Sequence, residues 1–385
     1  MKRILLITVI ILMIARSKSG AQTNQPCNFP NEQSAFSKRD TLEKLSKQYT
    51  QMGIPGLVLA VYSPGYGYWG TASGFSETET HTPMQLCMLQ YLQSVSKTYL
   101  ATVILKLYEE GKIDLDAAIT KYLPQQYSSY IDKASTMTVR NLLNHTSGMP
   151  DYLENPKYVS YALAHPDHIF TSDEFLSYIK GEPQQFKPGS KFQYSNTNYH
   201  VLALIVDVIA GSHDQLIRQK ILMPLGLSHT FYRDIKGRAD LVKNYIDLSG
   251  TGVVQNVTQL QQSSIMSAKG DDGIVATPLD AINFLRGLME GKLLSKASLN
   301  EMTKWVNDDT GKPVYGMGLY HVTYSNVDGV GHGGAGAGAG CALYYFPSKN
   351  VYVFLATNIG KLVEGPIVRK VNELKIKVLE IILKD

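Results

Sequence analysis

Ser94 and Lys97, in "LQSVSKTYL", stand three residues apart at the start of a segment whose apolar residues recur at helical spacing. Three residues is nearly one helical turn, so the two side chains share a face. A serine hydroxyl is a weak nucleophile until a neighbouring base takes its proton, and a lysine serves as that base when burial or a nearby cation lowers its pKa. The spacing is not unique, because Ser177 and Lys180 repeat it in "FLSYIKGE". That copy reads as the solvated face of an amphipathic helix. The first copy opens a helix, whose partial positive end favours developing negative charge.

A second pair is Tyr194 and Asn196 in "FQYSNTNY". A tyrosine beside a lysine can pass a proton to a leaving group, and an asparagine two residues on can hold a substrate amide. This pattern also recurs, as Tyr324 and Asn326 in "HVTYSNVDGV", but "SNVDG" there reads as a β-turn between short strands. The third element is His332-Gly333-Gly334 within "GHGGAGAGAG", a run that also contains a G-x-G-x-x-G match at Gly331, Gly333 and Gly336. A dinucleotide site needs a helix to begin inside such glycines, so that its N-terminus faces the pyrophosphate. Here the run passes straight into "CALYYFP", a strand-like segment, and G-x-x-x-x-G-K is absent from the chain. Both observations speak against a nucleotide. So many glycines then imply close backbone approach, to a ligand or at a tight turn.

In chain order, S-x-x-K, Y-x-N and H-x-G resemble the signature of the serine β-lactamase and penicillin-binding-protein superfamily. The variant is that of the class C β-lactamase and DD-carboxypeptidase branch, which includes esterases and D-amino-acid peptidases. The likeness runs from about Gly56 to Asn358 and takes in "TVRNLLNHTSGMPDY", "PLGLSHT", "GDDGIVATPLD" and "YGMGLY". It implies a mixed α and β, β-lactamase/transpeptidase-like fold: an antiparallel sheet flanked by helices, with an inserted helical lobe. It implies Ser94 as the acyl-accepting nucleophile, with Lys97 and Tyr194 sharing proton transfer and the choice of base open. Asn196 would orient the acyl side of the substrate, and His332, Gly333 and Gly334 would line its binding edge. The backbone N–H groups of Ser94 and Ala335 would form the oxyanion hole, and the glycines around Ala335 would let that strand edge come close to the bound acyl group. The same resemblance makes "NHTSG", with His145, a loop-building motif, sets Asp151 and Tyr152 along the cleft, and leaves Gly273 and Thr277 as a turn and a helix cap.

Two positions depart from the family pattern. His332 stands where lysine is frequent, and Gly333 where many relatives carry Thr or Ser. Both changes weaken the grip on a substrate carboxylate. A protonated His332 would restore part of it; a neutral one would only exchange hydrogen bonds beside Tyr194. The expected function is a secreted serine hydrolase acting through an acyl-enzyme, of DD-carboxypeptidase, D-amino-acid peptidase or esterase type. A class C-like β-lactamase and a non-enzymatic penicillin-binding-like sensor or scaffold are the alternatives. The expected partner is a small peptide, ester or β-lactam, a cell-wall peptide included, with no cofactor and no metal.

These residues must be positioned by elements that the sequence also outlines. "GLVLAVYS" and "YGYWGTASG" flank "PGYG" and read as a hairpin. From about Gln93 to Leu299 the pattern is mostly helical, with loops at "HTSGMPDY", "QFKPGSKF" and "MPLGLSHT". Strands return from about Tyr315, and "GPIVRKVNELKIKVLEIILK" closes the chain as an amphipathic helix. One antiparallel sheet built from both ends of the chain, about 40–90 and 300–385, with a helical lobe at about 91–299, is the simplest architecture.

The whole chain narrows the classes further. Its 385 residues are 44% hydrophobic and 18% charged, an ordinary globular composition, and a net charge of +4 without a Lys/Arg run gives no reason to expect nucleic acid. Lys2 and Arg3, then an apolar stretch to Ala15, then Ser19-Gly20-Ala21, have the layout of a signal peptide over residues 1–21, ahead of a single catalytic domain over 22–385. An uncleaved anchor is the lesser alternative to a secreted or periplasmic protein. Cys27, Cys87 and Cys341 make no disulfide framework, and their pairing is left open. His165 and His168 in "AHPDHIF" read as surface loop residues.

Overall fold

The expected hairpin forms, with β1 at Gly56–Ser63 and β2 at Gly67–Glu77 in continuous antiparallel register. The structure, a computed structural model, describes residues 29–30, 36–360 and 364–384. The expected signal segment and Cys27 lie outside these residues. A short β3, Thr82–Pro83, follows on the outer edge of β2. The remaining strands of the same sheet come from the far end of the chain: β4 Val306–Asn307, β5 Pro313–Tyr315, β6 Tyr320–Tyr324, β7 Val327–Ala335, β8 Gly340–Phe346 and β9 Val351–Thr357. The nine-stranded order is β3-β2-β1-β9-β8-β7-β6-β5-β4. The join between the two halves is β1 against β9, which pairs Leu57 with Thr357 and Tyr62 with Tyr352.

Alternation along these strands explains the three layers. Leu57, Leu59 and Val61 of β1 and Val351, Val353 and Leu355 of β9 face one side. There they meet Leu42 and Tyr49 of α1 (Arg39–Gln51) and Ile367, Leu374 and Val378 of the closing helix, Pro366–Leu383. Val58, Ala60, Phe354 and Ala356 face the other side and join the larger core. Each fully buried side chain of this kind contributes about 1.5–3 kcal/mol, so a one-residue slip of β1 would turn both sets to the wrong layers.

The larger core is helical. α2, Ser96–Glu109, is buried around almost its whole circumference, as an interior helix must be when it is apolar on every side. α4 (Asn196–Ala210) packs against it and Phe284 of α6 (Pro278–Met289) stacks on its Tyr99, while α3 (Pro156–Ala164) and α5 (Thr258–Ser267) are further helices of the same interval. The interval between the sheet halves is not purely helical. Gln90–Tyr91, Ile274–Ala276 and Thr230–Tyr232 form a small antiparallel sheet, and Tyr245–Ile246 pairs with Gln255–Asn256. These segments are two or three residues long, too short to leave a period-2 pattern in the sequence. Among the described residues no single helix is long and apolar enough to cross a membrane.

Candidate active site

Ser94 sits in a tight 3-10 turn, Gln93–Val95, that feeds directly into α2. The small sheet fixes this turn. Gln90 pairs with Ala276, Leu92 N–H donates to Ile274 O at 3.0 Å, and Ile274 N–H donates to Ser96 Oγ at 3.0 Å. The loop just before Ile274 carries Asp271 and Asp272, and it is thereby held beside the serine.

Lys97, in the first turn of α2, is fully buried. Its Nζ donates to Ser94 Oγ at 3.1 Å, Asn196 Oδ1 at 2.8 Å and Asp271 O at 2.7 Å. Two of these partners are pure acceptors. When the amine is neutral, its two hydrogens stay on Asn196 and Asp271, and its lone pair is left facing Ser94. Burial pushes the Lys97 pKa down to about 8, against the opposing pull of Asp271, Asp272 and Asp151.

Tyr194 precedes α4 and its ring lies beside Lys97, with Nζ 5.0 Å from the ring centroid. The hydroxyl is buried and has no partner at ordinary hydrogen-bond geometry. Burial raises its pKa well above the ordinary value, and Ser94 opposes that rise. The phenol is therefore a proton carrier rather than a phenolate. His145 braces it from behind, with Nδ1 accepting from Ser195 N–H at 3.2 Å and from Asn198 Nδ2 at 3.0 Å. The His145 ring stands 4.2 Å from the Tyr194 ring, and its own φ of 57° makes the turn that "NHTSG" requires.

Asn196 does more than face a ligand. Its oxygen serves Lys97 and its Nδ2 donates to Asp151 Oδ2 at 2.8 Å, which leaves one N–H. Asp151 is turned away from the cavity into that contact, whereas Tyr152 lines the cavity and donates to Asp271 Oδ2 at 2.6 Å.

His332 on β7 is 2% exposed. Its Nδ1 faces Gly333 O at 2.5 Å and its Nε2 faces Tyr315 OH at 2.9 Å, so the ring donates through Nδ1 and accepts from the tyrosine. Burial and the Lys97 charge push its pKa down to about 3. Its hydrogen bonds go to Tyr315 and Gly333, and a neutral ring fits both. A Cβ on Gly333 would lie 3.2 Å from Tyr344 Oη.

The other glycines of the run answer to the Ser94 turn and to neighbouring loops. A Cβ on Gly334 would come within 2.5 Å of Leu92 O, one on Gly336 within 2.4 Å of Gln93 Oε1, and one on Gly338 within 2.5 Å of Asn244 Cβ. The approach expected to a bound acyl group is, at these three positions, an approach to the protein's own chain. Ala335, at the end of β7, reaches the same cavity as Ser94.

That cavity, of about 220 Å³, is lined by polar groups at Ser94, Asn196, Asp271 and Asp272 and by the apolar surface of Tyr152, Tyr158, Phe170 and Leu260. No lysine or arginine is among its lining residues. His165 and His168 edge its mouth, the second paired with Glu174 at 2.9 Å. The duplicate motifs lie elsewhere. Ser177 bonds Glu174 O on the last residue of a short helix, with Lys180 beyond its end. Ser325 and Asn326 form the turn between β6 and β7, with φ of 51° and 60°.

Gln93, Asp271, Asp272 and Tyr315 are the site residues that sequence reasoning missed. "GDDG" ahead of an apolar strand, an acidic pair set between two glycines, was the available signal for two of them.

A family model described as "Beta-lactamase" matches residues 39–375. The putative penicillin-binding protein PbpX of Bacillus subtilis is 28% identical over 293 residues, which span 74% of this chain and 68% of that protein. Protein flp of Staphylococcus aureus is 28% identical over 181 residues, 47% of this chain and only 35% of its own length. Among solved structures, the D-amino acid amidase of Ochrobactrum anthropi SV3, complexed with L-phenylalanine amide, superposes with a TM-score of 0.78 at 25% identity, over 90% of this chain and 98% of that one. A D-stereospecific amidohydrolase from Streptomyces sp. gives 0.75 at 26% identity, over 87% and 97%.

Proposed function

This chain belongs to the beta-lactamase family, and from that premise we propose that it is a serine hydrolase that cleaves amides or esters of small acyl groups through an acyl-enzyme on Ser94. The observation that carries the proposal is the fixed bonding of Lys97. Asn196 and Asp271 hold two of its hydrogens, so the neutral amine can do little but accept the Ser94 proton. Ser94 Oγ then attacks the substrate carbonyl. The oxyanion that forms is held by the N–H groups of Ser94 and Ala335, an arrangement in which each donor is worth roughly 10² to 10³ in rate. Tyr194 gives its proton to the leaving amine or alcohol and regains one from Lys97. In the second half, water takes the place of the leaving group, its proton goes to the same pair, and Ser94 is released.

The substrate class follows from charge and size. Neutral His332, Gly333 and the absence of lining cations favour an amide or ester over a β-lactam or a peptide whose terminal carboxylate must be held. A cavity of about 220 Å³ lined in part by aromatic rings suits one amino-acid-sized acyl group. The solved amidases that share this fold support the same class. We also propose that residues 1–21 direct export, which N-terminal sequencing of the mature protein would test.

The deciding experiment is labelling with a fluorophosphonate followed by a substrate panel. The panel holds an amino-acid anilide, a p-nitrophenyl ester, a chromogenic cephalosporin and a D-Ala-D-Ala peptide. Turnover of the first two by wild type, with labelling abolished in Ser94→Ala, is the expected result. Turnover confined to the cephalosporin or the D-Ala-D-Ala peptide would overturn the substrate assignment.

A further inference from the structure

Two polar side chains beside Ser94 have no role in the chemistry described so far. Gln93 immediately precedes the nucleophile, is 1% exposed, and has no protein partner for either Oε1 or Nε2. An unpaired amide buried in this way is destabilising. Its backbone adds strain, with φ of 50° in the left-handed region that glycine favours. The amide lies flat on Gly336 and lines the cavity.

Asp272 is the second. Among the three carboxylates around Lys97 it is the one left open. Asp151 accepts from Asn196 N–H, Asn196 Nδ2 and Leu153 N–H, and Asp271 from Tyr152 Oη and Lys269 N–H. Asp272 accepts only from the N–H of the next residue, Gly273, at 2.6 Å, and its second oxygen has no protein partner. It lines the cavity with Gln93 and Ser94. Both groups are tied to the nucleophile. Gln93 is its chain neighbour, and the carbonyl of Asp271 shares the Lys97 ammonium with Ser94 Oγ.

We propose that Gln93 and Asp272 form a subsite for a protonated amine on the acyl half of the substrate, so that the enzyme selects amino-acid amides or esters with a free amino group. This rests on the hydrolase reading above and names the substrate class within it. An ammonium is the complement that both groups lack. It donates to the open Asp272 oxygen and to Gln93 Oε1, and its charge balances a site in which three carboxyls face the single cation of Lys97. Gln93, Asp272 and Ser94 line one cavity, so the amine assigned to this subsite is the one on the carbon next to the scissile carbonyl, and the aromatic part of the lining receives the amino-acid side chain.

The test compares phenylalaninamide, each enantiomer separately, with 3-phenylpropionamide, which lacks only the amine. The readout is protection of Ser94 from a fluorophosphonate, which needs no turnover. In wild type, one phenylalaninamide enantiomer should protect at a concentration on the order of 10- to 100-fold lower than the amine-free amide. Gln93→Gly, which suits the left-handed backbone, and Asp272→Asn should each narrow that gap, with folding checked by circular dichroism. Equal protection by the two amides in wild type overturns the subsite, and that arm stands even if neither variant folds. A gap that survives in both folded variants also overturns it. In either case continued labelling and ester turnover leave the hydrolase reading intact. A wild type that is neither labelled nor active on any ester overturns the hydrolase reading, and the subsite falls with it.

Discussion

Asp272→Asn should shift the pH dependence of Ser94 acylation toward acid. Burial holds Lys97 at about 8, and the carboxylates of Asp271, Asp272 and Asp151 oppose the fall. Only the neutral amine accepts the serine proton, so kcat/KM rises with pH and levels off above the Lys97 pKa. With a pKa of about 8, roughly one lysine in ten is neutral at pH 7. Removing one nearby opposite charge lowers such a pKa by about one unit or more. A shift of one unit brings the midpoint to about pH 7 and raises activity there about fivefold, with the alkaline plateau unchanged. Asp272 is itself pushed up to about 7 by burial. The wild-type limb is therefore spread over two linked groups, and the variant limb should follow a one-proton curve. The assay is kcat/KM for p-nitrophenyl 3-phenylpropionate, an uncharged ester, between about pH 6 and 9. A limb that stays in place or moves toward alkali would refute the electrostatic reasoning. A profile that falls through pH 8 would refute Lys97 as the base, because the protonated amine would then be the active form and Tyr194 the proton acceptor.

Tyr194→Phe should lower kcat by roughly 10² to 10⁴ with little change in melting temperature, since one proton-carrying oxygen is removed from an already unpartnered position; steady-state kinetics with Tyr324→Phe as the silent control checks this. Fluorophosphonate labelling should vanish in Ser94→Ala and persist in Ser177→Ala, and the reverse pattern would exchange the two motifs. Gly336→Ala should fold and yet reduce the preference for free-amine ligands, because the added methyl falls on the Gln93 amide; unchanged selectivity would detach Gln93 from the ligand. His200 is buried with both ring nitrogens unpartnered and its pKa pushed down to about 3. Its folded pKa lies below the unfolded one, so this contribution to stability is lost as pH falls below about 6.5. His200→Phe should gain on wild type by about 1.4 kcal/mol per pH unit below that point, and a gap independent of pH in urea unfolding would contradict it.

The parts of the site that were legible in the sequence are those carried by local spacing. Ser94 with Lys97, and Tyr194 with Asn196, stand out from their duplicates through the residues around them and their order along the chain, and the β1–β2 hairpin and the closing helix through their periods. What stayed hidden depends on contacts between distant segments. The Lys97 bond to Asp271 O joins residues 174 apart, and Tyr315 meets His332 across the sheet. Gln93 stood next to the nucleophile in plain view, but nothing in its neighbours signals a positive φ or an unpaired amide. The glycine run points to close approach, but its expected neighbour, a bound acyl group, gives way at Gly334, Gly336 and Gly338 to the protein's own chain. It does not itself say what is approached, since Gln93 and Asn244 arrive from elsewhere in the chain.

The pairing of β1 with β9 also bears on how the molecule is made. Leu57 waits for Thr357, roughly 300 residues later, which at about 5–20 residues per second is about 15–60 s of synthesis. Throughout that interval one edge of β1 stays unpaired and apolar, a template for other chains. The nucleophile turn is translated early, but Ala335 arrives only with the late strands. A nascent or C-terminally clipped chain would therefore carry Ser94 without Ala335, the second oxyanion donor proposed above, and on that proposal acylation would report on whether the sheet has closed.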